Sequence, residues 1–136
     1  MRRALALTAL MVLVPAGCGG DSGGKAANPD AAIDVEVTLW PNGEAGDSIT
    51  WTLQCEPTGG DHPDPEAACA ALTAVADPFG SVAHPDRCGE IPGGDESVAV
   101  IDGDYRGREV HSRFTHENAC VSGRWERIAP VFPSGS

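Results

Sequence analysis

Five cysteines are the residues of this chain best suited to covalent chemistry. Cys55, Cys69, Cys88 and Cys120 fall among strand and helix patterns, whereas Cys18 lies close to the N-terminus. Four cysteines in an exported protein suit two disulfide bonds, which persist in oxidising compartments. Four cysteines can pair in three ways, and their spacing leaves all three open. Cys18 therefore needs a separate explanation.

Residues 1–17 have the pattern of an export signal. Two arginines precede an apolar run over residues 4–14, and Pro15-Ala16-Gly17 follows as a cleavage region. The apolar run is eleven residues long, which is too short to span a bilayer. A signal of this kind predicts an extracellular, secreted protein.

Cys18 follows Ala16-Gly17 in a pattern that resembles the lipoprotein box of bacteria, in which the cysteine is diacylated and becomes the mature N-terminus. Pro15 departs from that pattern, which usually has an aliphatic residue there, so ordinary cleavage after Ala16 is the alternative. Lipidation is preferred because it accounts for the unpaired cysteine. A lipid on Cys18 would anchor the protein to the outer face of the cell membrane.

Ser22 resembles a catalytic nucleophile, because Gly20-Asp21-Ser22-Gly23-Gly24 spells the motif of chymotrypsin-like proteases. Such a serine works only with a positioned histidine, a buried aspartate and an oxyanion hole. Residues 18–32 are rich in Gly and Ala and contain no aromatic residue, which predicts a disordered tether. We therefore do not expect this serine to act as a nucleophile.

The histidines of the chain do not have metal-ligand spacing, and no glycine-rich phosphate loop follows a strand pattern. The four histidines are His62, His84, His111 and His116. We find no catalytic constellation, so we expect neither an enzyme nor a protein that binds a metal or a cofactor. Core or dimer positions, rather than a ligand platform, are expected for Trp40, Trp51 and Trp125.

The chain is acidic, with a formal net charge of −11 at pH 7. Once Arg2 and Arg3 leave with the signal, 7 basic residues face 20 acidic residues, and no Lys or Arg occurs from Ala26 to Asp86. A surface of this sign repels phosphate backbones and anionic lipids. The composition therefore argues against nucleic-acid binding, and membrane association would need the lipid on Cys18.

The elements that must position the four later cysteines are mainly strands. Ile33–Leu39 alternates apolar and polar residues, and Ile49–Cys55 does the same after a Pro-Asn-Gly turn. Asp64 followed by Pro65 is a helix start, and apolar residues at helical spacing continue to about Ala76. The first helix thus begins inside a segment that two cysteines bracket.

The second half of the sequence predicts a hairpin and a last strand. Val98–Ile101 is followed by Asp102-Gly103, a strong two-residue hairpin signal, and by a returning strand over Tyr105–Phe114. A turn with helical character follows near residue 118, and Ile128–Phe132 is predicted as a last short strand. The fold class is α+β with an antiparallel sheet, in a single small domain over residues 33–136.

The stretch from Cys55 to Leu72 resembles the signature of the Streptomyces subtilisin inhibitor family, small secreted inhibitors of subtilisin-like serine proteases. The matching residues are Cys55, Pro57, Gly60, His62, Pro63, Ala68, Cys69, Ala70 and Leu72. The similarity continues through Asp102-Gly103, residues 105–110, Asn118-Ala119-Cys120 and Val131-Phe132. It implies a five-stranded antiparallel sheet with two helices, Cys55–Cys69 and Cys88–Cys120 disulfides, and a homodimer formed through the sheet.

In that family a convex loop enters the protease cleft as a substrate would, and the cleaved ends stay clamped and religate. The resemblance places Cys88 and Cys120 at the anchor of this loop and makes Asn118 its supporting side chain. The primary specificity residue, two residues past the cysteine, is then Glu90, and the reactive bond is Glu90–Ile91. The partner implied is a subtilisin-like serine protease.

The loop after Cys88 also departs from the family. Gly93-Gly94-Asp95-Glu96 replaces the aromatic-acid-proline run that usually follows the reactive bond, and the loop is longer than usual. Pro92 has no N–H, although substrate-like inhibitors donate a backbone hydrogen bond at that position. These departures support a second hypothesis, in which the chain is a non-inhibitory binding or structural lipoprotein that reuses the inhibitor fold.

Overall fold

Five strands form one antiparallel sheet in the computed structural model, which describes residues 31–92 and 95–133. The strands are β1 (Ile33–Trp40), β2 (Ile49–Cys55), β3 (Gly59–Gly60), β4 (Val98–Tyr105) and β5 (Arg108–Phe114). Their order across the sheet is β3-β2-β1-β4-β5. With two helices packed on the sheet, the predicted α+β class is confirmed. The expectations for the export signal and Cys18 concern residues outside the described ranges.

β1 is the central strand, and its alternation of residue types decides which face of the sheet is buried. Ile33, Val35, Val37 and Leu39 are buried and belong to one hydrophobic cluster. Both helices contribute to that cluster, which places them on the same face of the sheet. The intervening residues of β1 point the other way and are polar up to Thr38.

The opposite face of the sheet carries carboxylates in directly paired positions. Asp34 of β1 lies opposite Asp104 of β4, and Glu36 lies opposite Asp102. Like charges at such positions destabilise a sheet slightly. This outer face is therefore solvated and acidic, at least near the start of β1.

The two helices begin at side-chain caps. Helix α1 spans Pro65–Ala74, with the Asp64 carboxylate accepting a hydrogen bond from the Ala67 N–H at 3.1 Å. The predicted start is thus confirmed, and the helix ends two residues earlier than expected, because Val75 is already extended. Helix α2 spans Ala119–Arg127, where the sequence indicated a turn with helical character.

The predicted hairpin turn at Asp102-Gly103 is wrong, because both residues lie inside β4. The turn is made instead by Arg106 and Gly107, both with positive φ, as a two-residue hairpin with a type I′ turn requires. Gly103 serves a different purpose, since a Cβ on it would overlap the carbonyl oxygen of Asp34 on the neighbouring strand. The glycine allows close backbone approach, and the hairpin is therefore longer than predicted.

The last predicted strand, Ile128–Phe132, is also wrong. Ala129–Val131 forms a short 3-10 helix, and the apolar side chains of the segment fill the core under α1. The fifth strand is supplied by β3, a two-residue pairing with β2 that has no sequence periodicity. Pro130 lacks the N–H that a central strand needs, and this is the signal that argues against a strand here.

Both disulfides implied by the family resemblance are present and confirmed. Cys55 pairs with Cys69 at a Cα–Cα distance of 5.6 Å, and Cys88 pairs with Cys120 at 5.5 Å. Both separations lie within the usual range for a disulfide. The first bridge joins the end of β2 to α1, and the second joins an exposed loop to the first turn of α2.

The first disulfide closes residues 56–68, which we call the inner loop, and its key side chain is His62. His62 is only 4% exposed. Its Nδ1 accepts a hydrogen bond from the Asp64 N–H, so Nε2 carries the hydrogen and donates to the Val131 carbonyl, both at 3.1 Å. The ring thereby links the start of α1 to the C-terminal 3-10 helix.

The described part of the chain contains no helix with the length and apolar character required to cross a bilayer.

Candidate functional site

The segment after Cys88 is exposed to solvent and contains Glu90 and Ile91, the two residues predicted to form the reactive bond. We call residues 88–90 the first arm and residues 91–92 and 95–97 the second arm, and the two together the display loop. Gly89 through Pro92 are exposed, and Ile91 keeps 39% of its surface in solvent. The exposed Ile91 side chain presents apolar surface whose burial by a partner would be favourable.

The first arm is tied to the start of α2 at three successive residues. Cys88 is bonded to Cys120, and the Gly89 carbonyl accepts a hydrogen bond from the Ala119 N–H at 3.0 Å. Glu90 forms an isolated antiparallel bridge with Asn118. The backbone up to Glu90 is therefore held extended, while the side chain of Glu90 remains exposed.

Asn118 has two structural tasks at this junction. Its side-chain oxygen accepts hydrogen bonds from the backbone N–H groups of Cys120 and Val121, both at 3.0 Å, and so caps α2. Its backbone is the part that pairs with Glu90. The predicted role of the Asn118 side chain as a support inside the loop stays a prediction, but the residue clearly joins the first arm to the helix.

The second arm is attached to the turn between β1 and β2. The Ser97 hydroxyl lies 3.1 Å from the Pro41 carbonyl oxygen and 2.5 Å from Oδ1 of Asp95. The Ser97 N–H also donates to Asp95 Oδ1 at 2.9 Å. The hydrogen bonds from the Ser97 hydroxyl and N–H hold the pKa of Asp95 below its ordinary value, because they stabilise the ionised carboxylate.

Arg113 of β5 connects the supports of the two arms. Its guanidinium contacts Glu44, in the β1–β2 turn, at 3.1 Å and Glu117, beside Asn118, at 3.6 Å. The hydrogen bond with Glu44 raises the pKa of Arg113. Sequence reasoning missed both Ser97 and Arg113; the Asp-Glu-Ser sequence at residues 95–97 was the one local signal of a side-chain turn.

A shallow cleft of about 370 Å³ separates the display loop from the turn before α2. Its lining residues are Ile91, Asp95, Glu96, Ser97, Val98, Thr115, His116 and Glu117. The rim is acidic, and across residues 31–92 and 95–133 no group of three His, Cys, Asp or Glu side chains is arranged to hold a metal ion. The chemical feature of this site is therefore the exposed Glu90–Ile91 peptide bond, in a loop whose backbone is held by contacts on both sides.

Comparison with known proteins identifies relatives of this chain. A family model described as subtilisin inhibitor-like matches residues 38–118. Subtilisin inhibitor-like protein 15 of Streptomyces bikiniensis is 43% identical over 77 residues, which covers 53% of this chain and 68% of that protein. Subtilisin inhibitor-like protein 1 of Streptomyces cacaoi is 33% identical over 93 residues, covering 66% of this chain and 84% of that protein.

A solved structure is also similar. It is the crystal structure of Streptomyces caespitosus sermetstatin in complex with Bacillus licheniformis subtilisin. The sequence identity is 25% and the TM-score is 0.47, over 74% of this chain and 97% of that one.

Proposed function

This chain belongs to the subtilisin inhibitor-like family, and we propose that it inhibits subtilisin-like serine proteases with the display loop as a substrate-like segment. The observation that carries the proposal is the exposed Glu90–Ile91 bond, whose first arm is fixed to α2 and whose second arm is fixed to the β1–β2 turn. A loop already rigid in its bound shape loses little conformational entropy on binding. The chain is thus an inhibitor rather than an enzyme.

The reaction at this bond follows the chemistry of serine proteases. The protease serine attacks the Glu90 carbonyl, the Glu90–Ile91 peptide bond breaks, and the Ile91 amine leaves with a proton from the protease histidine. The Cys88–Cys120 bridge and the β-bridge to Asn118 retain the acyl side. An amine held nearby can attack the ester, re-form the peptide bond and return the serine hydroxyl, so the enzyme remains occupied.

Glu90 is proposed as the primary specificity residue, because its side chain is exposed next to the bond. A carboxylate fits a pocket lined by His, Arg or a bound cation, since the pair then offsets its own desolvation. It fits poorly in an anionic pocket. We therefore expect the best inhibition against proteases that tolerate or prefer glutamate.

The test is titration of the mature domain against subtilisin and a glutamate-specific serine protease, followed by mass spectrometry after brief exposure. The proposal expects a stable complex at micromolar concentration and a single reversible nick between Glu90 and Ile91. Steady degradation with no complex would contradict it and favour the non-inhibitory lipoprotein. Pro92 is the residue that supports this second candidate, because its missing N–H leaves a protease carbonyl unpaired at a cost of about 1–3 kcal/mol.

We further propose that the chain is exported and that Cys18 carries a lipid, with residues 18–32 as the tether. The unpaired cysteine supports this, because the other four form the two disulfides. Globomycin, which blocks lipoprotein signal cleavage, should leave an unprocessed precursor in the expressing cell. Release of a soluble domain that begins at Gly17 would contradict lipidation.

A homodimer through the sheet is also proposed, and the outer face makes its salt dependence predictable. A two-fold interface sets a patch against the same patch of the partner, so the acidic patch of Asp34, Glu36, Asp102 and Asp104 would lie against a second acidic patch. Salt screens such repulsion, with a Debye length of about 10 Å at 0.1 M. Sedimentation should therefore show a dimer that strengthens with added salt, and a monomer at every salt concentration would contradict the proposal.

A further inference from the structure

We propose that the Ser97 hydroxyl is the positioning group that retains the second arm after the protease has cut the loop. This inference rests on the proposed inhibition at Glu90–Ile91. It concerns the amine side of the cut bond, whose disulfide anchor, Cys120, lies far along the chain from Ile91, beyond β4 and β5. The covalent connection from Ile91 runs only toward β4, so whatever fixes the arm before β4 decides how far the new amine can move.

Ser97 is placed where it can restrain that arm. It is the residue before β4, and its hydroxyl lies 3.1 Å from the carbonyl oxygen of Pro41, which is distant in sequence. The other acceptor, Asp95 Oδ1, belongs to the same arm. A serine hydroxyl has one hydrogen, so this hydrogen is shared between a bond that shapes the arm and a bond that attaches it to the β1–β2 turn.

The turn that receives this bond is itself braced. Glu44, three residues after Pro41, pairs with Arg113, and Arg113 also contacts Glu117 beside the junction that holds the first arm. The two arms are thus connected through β5 as well as through the intact loop. When the Glu90–Ile91 bond opens, this second route remains and keeps the Ile91 amine near the acyl ester.

The consequence is a competition between two nucleophiles for the Glu90 ester. Attack by the Ile91 amine restores the peptide bond and the free serine hydroxyl, whereas attack by water releases a Glu90 carboxylate and a permanently cut inhibitor. A looser second arm lowers the local concentration of the amine and leaves the rate of water attack unchanged. Ser97 should therefore affect the lifetime of the inhibitor more than the rate at which it binds.

The experiment incubates subtilisin with a small excess of the parent protein or of Ser97→Ala and follows the permanently cut form by mass spectrometry. Loss of one neutral hydrogen bond of about 1 kcal/mol corresponds to about a 3- to 10-fold faster accumulation of the cut form. The association rate should stay within about 2-fold of the parent, because the first arm is unchanged. Ser97→Thr keeps a hydroxyl and should restore the slow rate, and Ser81→Ala is the control at an exposed serine in another loop.

Asp95→Ala separates the two acceptors of the hydroxyl. It removes the bond within the arm but leaves the bond to Pro41, so its effect should be less than half that of Ser97→Ala. An equal or larger effect, or cutting of Ser97→Ala at the parental rate while the parent inhibits, would overturn the assignment of Ser97 and leave the proposed function standing. A parent that is itself degraded without forming a complex would overturn the proposed function and this inference together.

Discussion

The inner loop and the display loop each adjoin a disulfide bond, but they differ in burial and in hydrogen bonding. In the inner loop, the His62 ring is buried and both its nitrogens are hydrogen-bonded to backbone groups of the same domain. In the display loop, residues 89–92 are exposed, and among them only the backbone before the Glu90–Ile91 bond is paired. The Cys55–Cys69 disulfide thus lies beside a buried part of the core, whereas the Cys88–Cys120 disulfide holds a segment that is exposed to solvent.

This difference predicts whether a substitution in each region will change the free energy of unfolding or the affinity for a protease. The inner loop contributes the buried residues His62 and Ala68, so changes at those residues should lower the free energy of unfolding. The display loop contributes exposed groups on a braced backbone, so side-chain changes there should alter protease binding with little effect on unfolding. Removal of the Cys88–Cys120 bridge itself would also destabilise the fold, because the bridge spans 32 positions of the chain. Each prediction below tests one side of this comparison, beginning with the largest expected effect.

Removal of each disulfide is the strongest test. Replacing Cys88 and Cys120 with serine should raise the inhibition constant by more than about 100-fold, because the acyl side of the loop loses its tether and its pre-organised shape. Replacing Cys55 and Cys69 should lower the free energy of unfolding by about 3 kcal/mol or more and should change inhibition only through the folded fraction. Denaturant melts and inhibition assays on the same samples check both expectations. Equal loss of inhibition per folded molecule in the two variants would contradict the comparison.

The sequence predicted the frame of the inner loop well because its signals are local. The alternation before Cys55 and the Asp64-Pro65 start fix where β2 ends and α1 begins, and those boundaries are as expected. Asp102-Gly103 misled because a strong local turn signal was overridden by pairing with β1, where a glycine was needed for backbone contact. Ile128–Phe132 misled because a short apolar run fits a strand and a buried turn equally well.

For the display loop, the sequence predicted the disulfide that holds the first arm but not the contacts that hold the second arm. Cys88 and Cys120 carry their own signal, whereas the contact of Ser97 with Pro41 joins residues 56 positions apart and depends on how the β1–β2 turn folds. The ion pairs of Arg113 likewise depend on the sheet register. No pattern within either segment reveals contacts of this kind.

His62 provides the next largest effect. His62→Ala should lower the free energy of unfolding by about 2–4 kcal/mol, because it removes a buried ring, leaves the buried Val131 carbonyl unpaired and removes the partly buried hydrogen bond from the Asp64 N–H. Thermal and denaturant unfolding measure this loss, and inhibition by the folded fraction should be unchanged. His111→Ala is the control, since that ring is exposed on the sheet, and a change within about 0.5 kcal/mol is expected. A comparable loss from the control would argue that burial is not the cause.

Glu90 should show the reverse behaviour. Glu90→Leu and Glu90→Met are expected to leave the unfolding midpoint unchanged, because the side chain is exposed, while shifting the affinity toward subtilisin by about 1–3 kcal/mol, the scale of one pocket contact. The same variants should bind a glutamate-specific protease more weakly. If Glu90→Ala, Glu90→Leu and Glu90→Lys inhibit a protease panel identically to the parent, Glu90 is not the pocket residue and the reactive bond lies elsewhere.

The smallest effect concerns the pH dependence of the second arm. The Ser97 hydroxyl and N–H lower the pKa of Asp95 in the folded protein, so its ionised form is favoured by folding. The stabilisation is complete above the ordinary pKa of the carboxyl and is lost as the pH falls through the lowered pKa. Because Asp95 is exposed, the effect on global stability should remain well below about 1 kcal/mol. Carboxyl chemical shifts should follow this titration in the parent, and in Ser97→Ala the Asp95 pKa should rise toward its ordinary value. An unchanged Asp95 titration in that variant would mean that Ser97 does not hydrogen-bond to the carboxylate. The second arm would then lack the local hydrogen bonds that order it, and the display loop would be exposed but not held in one conformation.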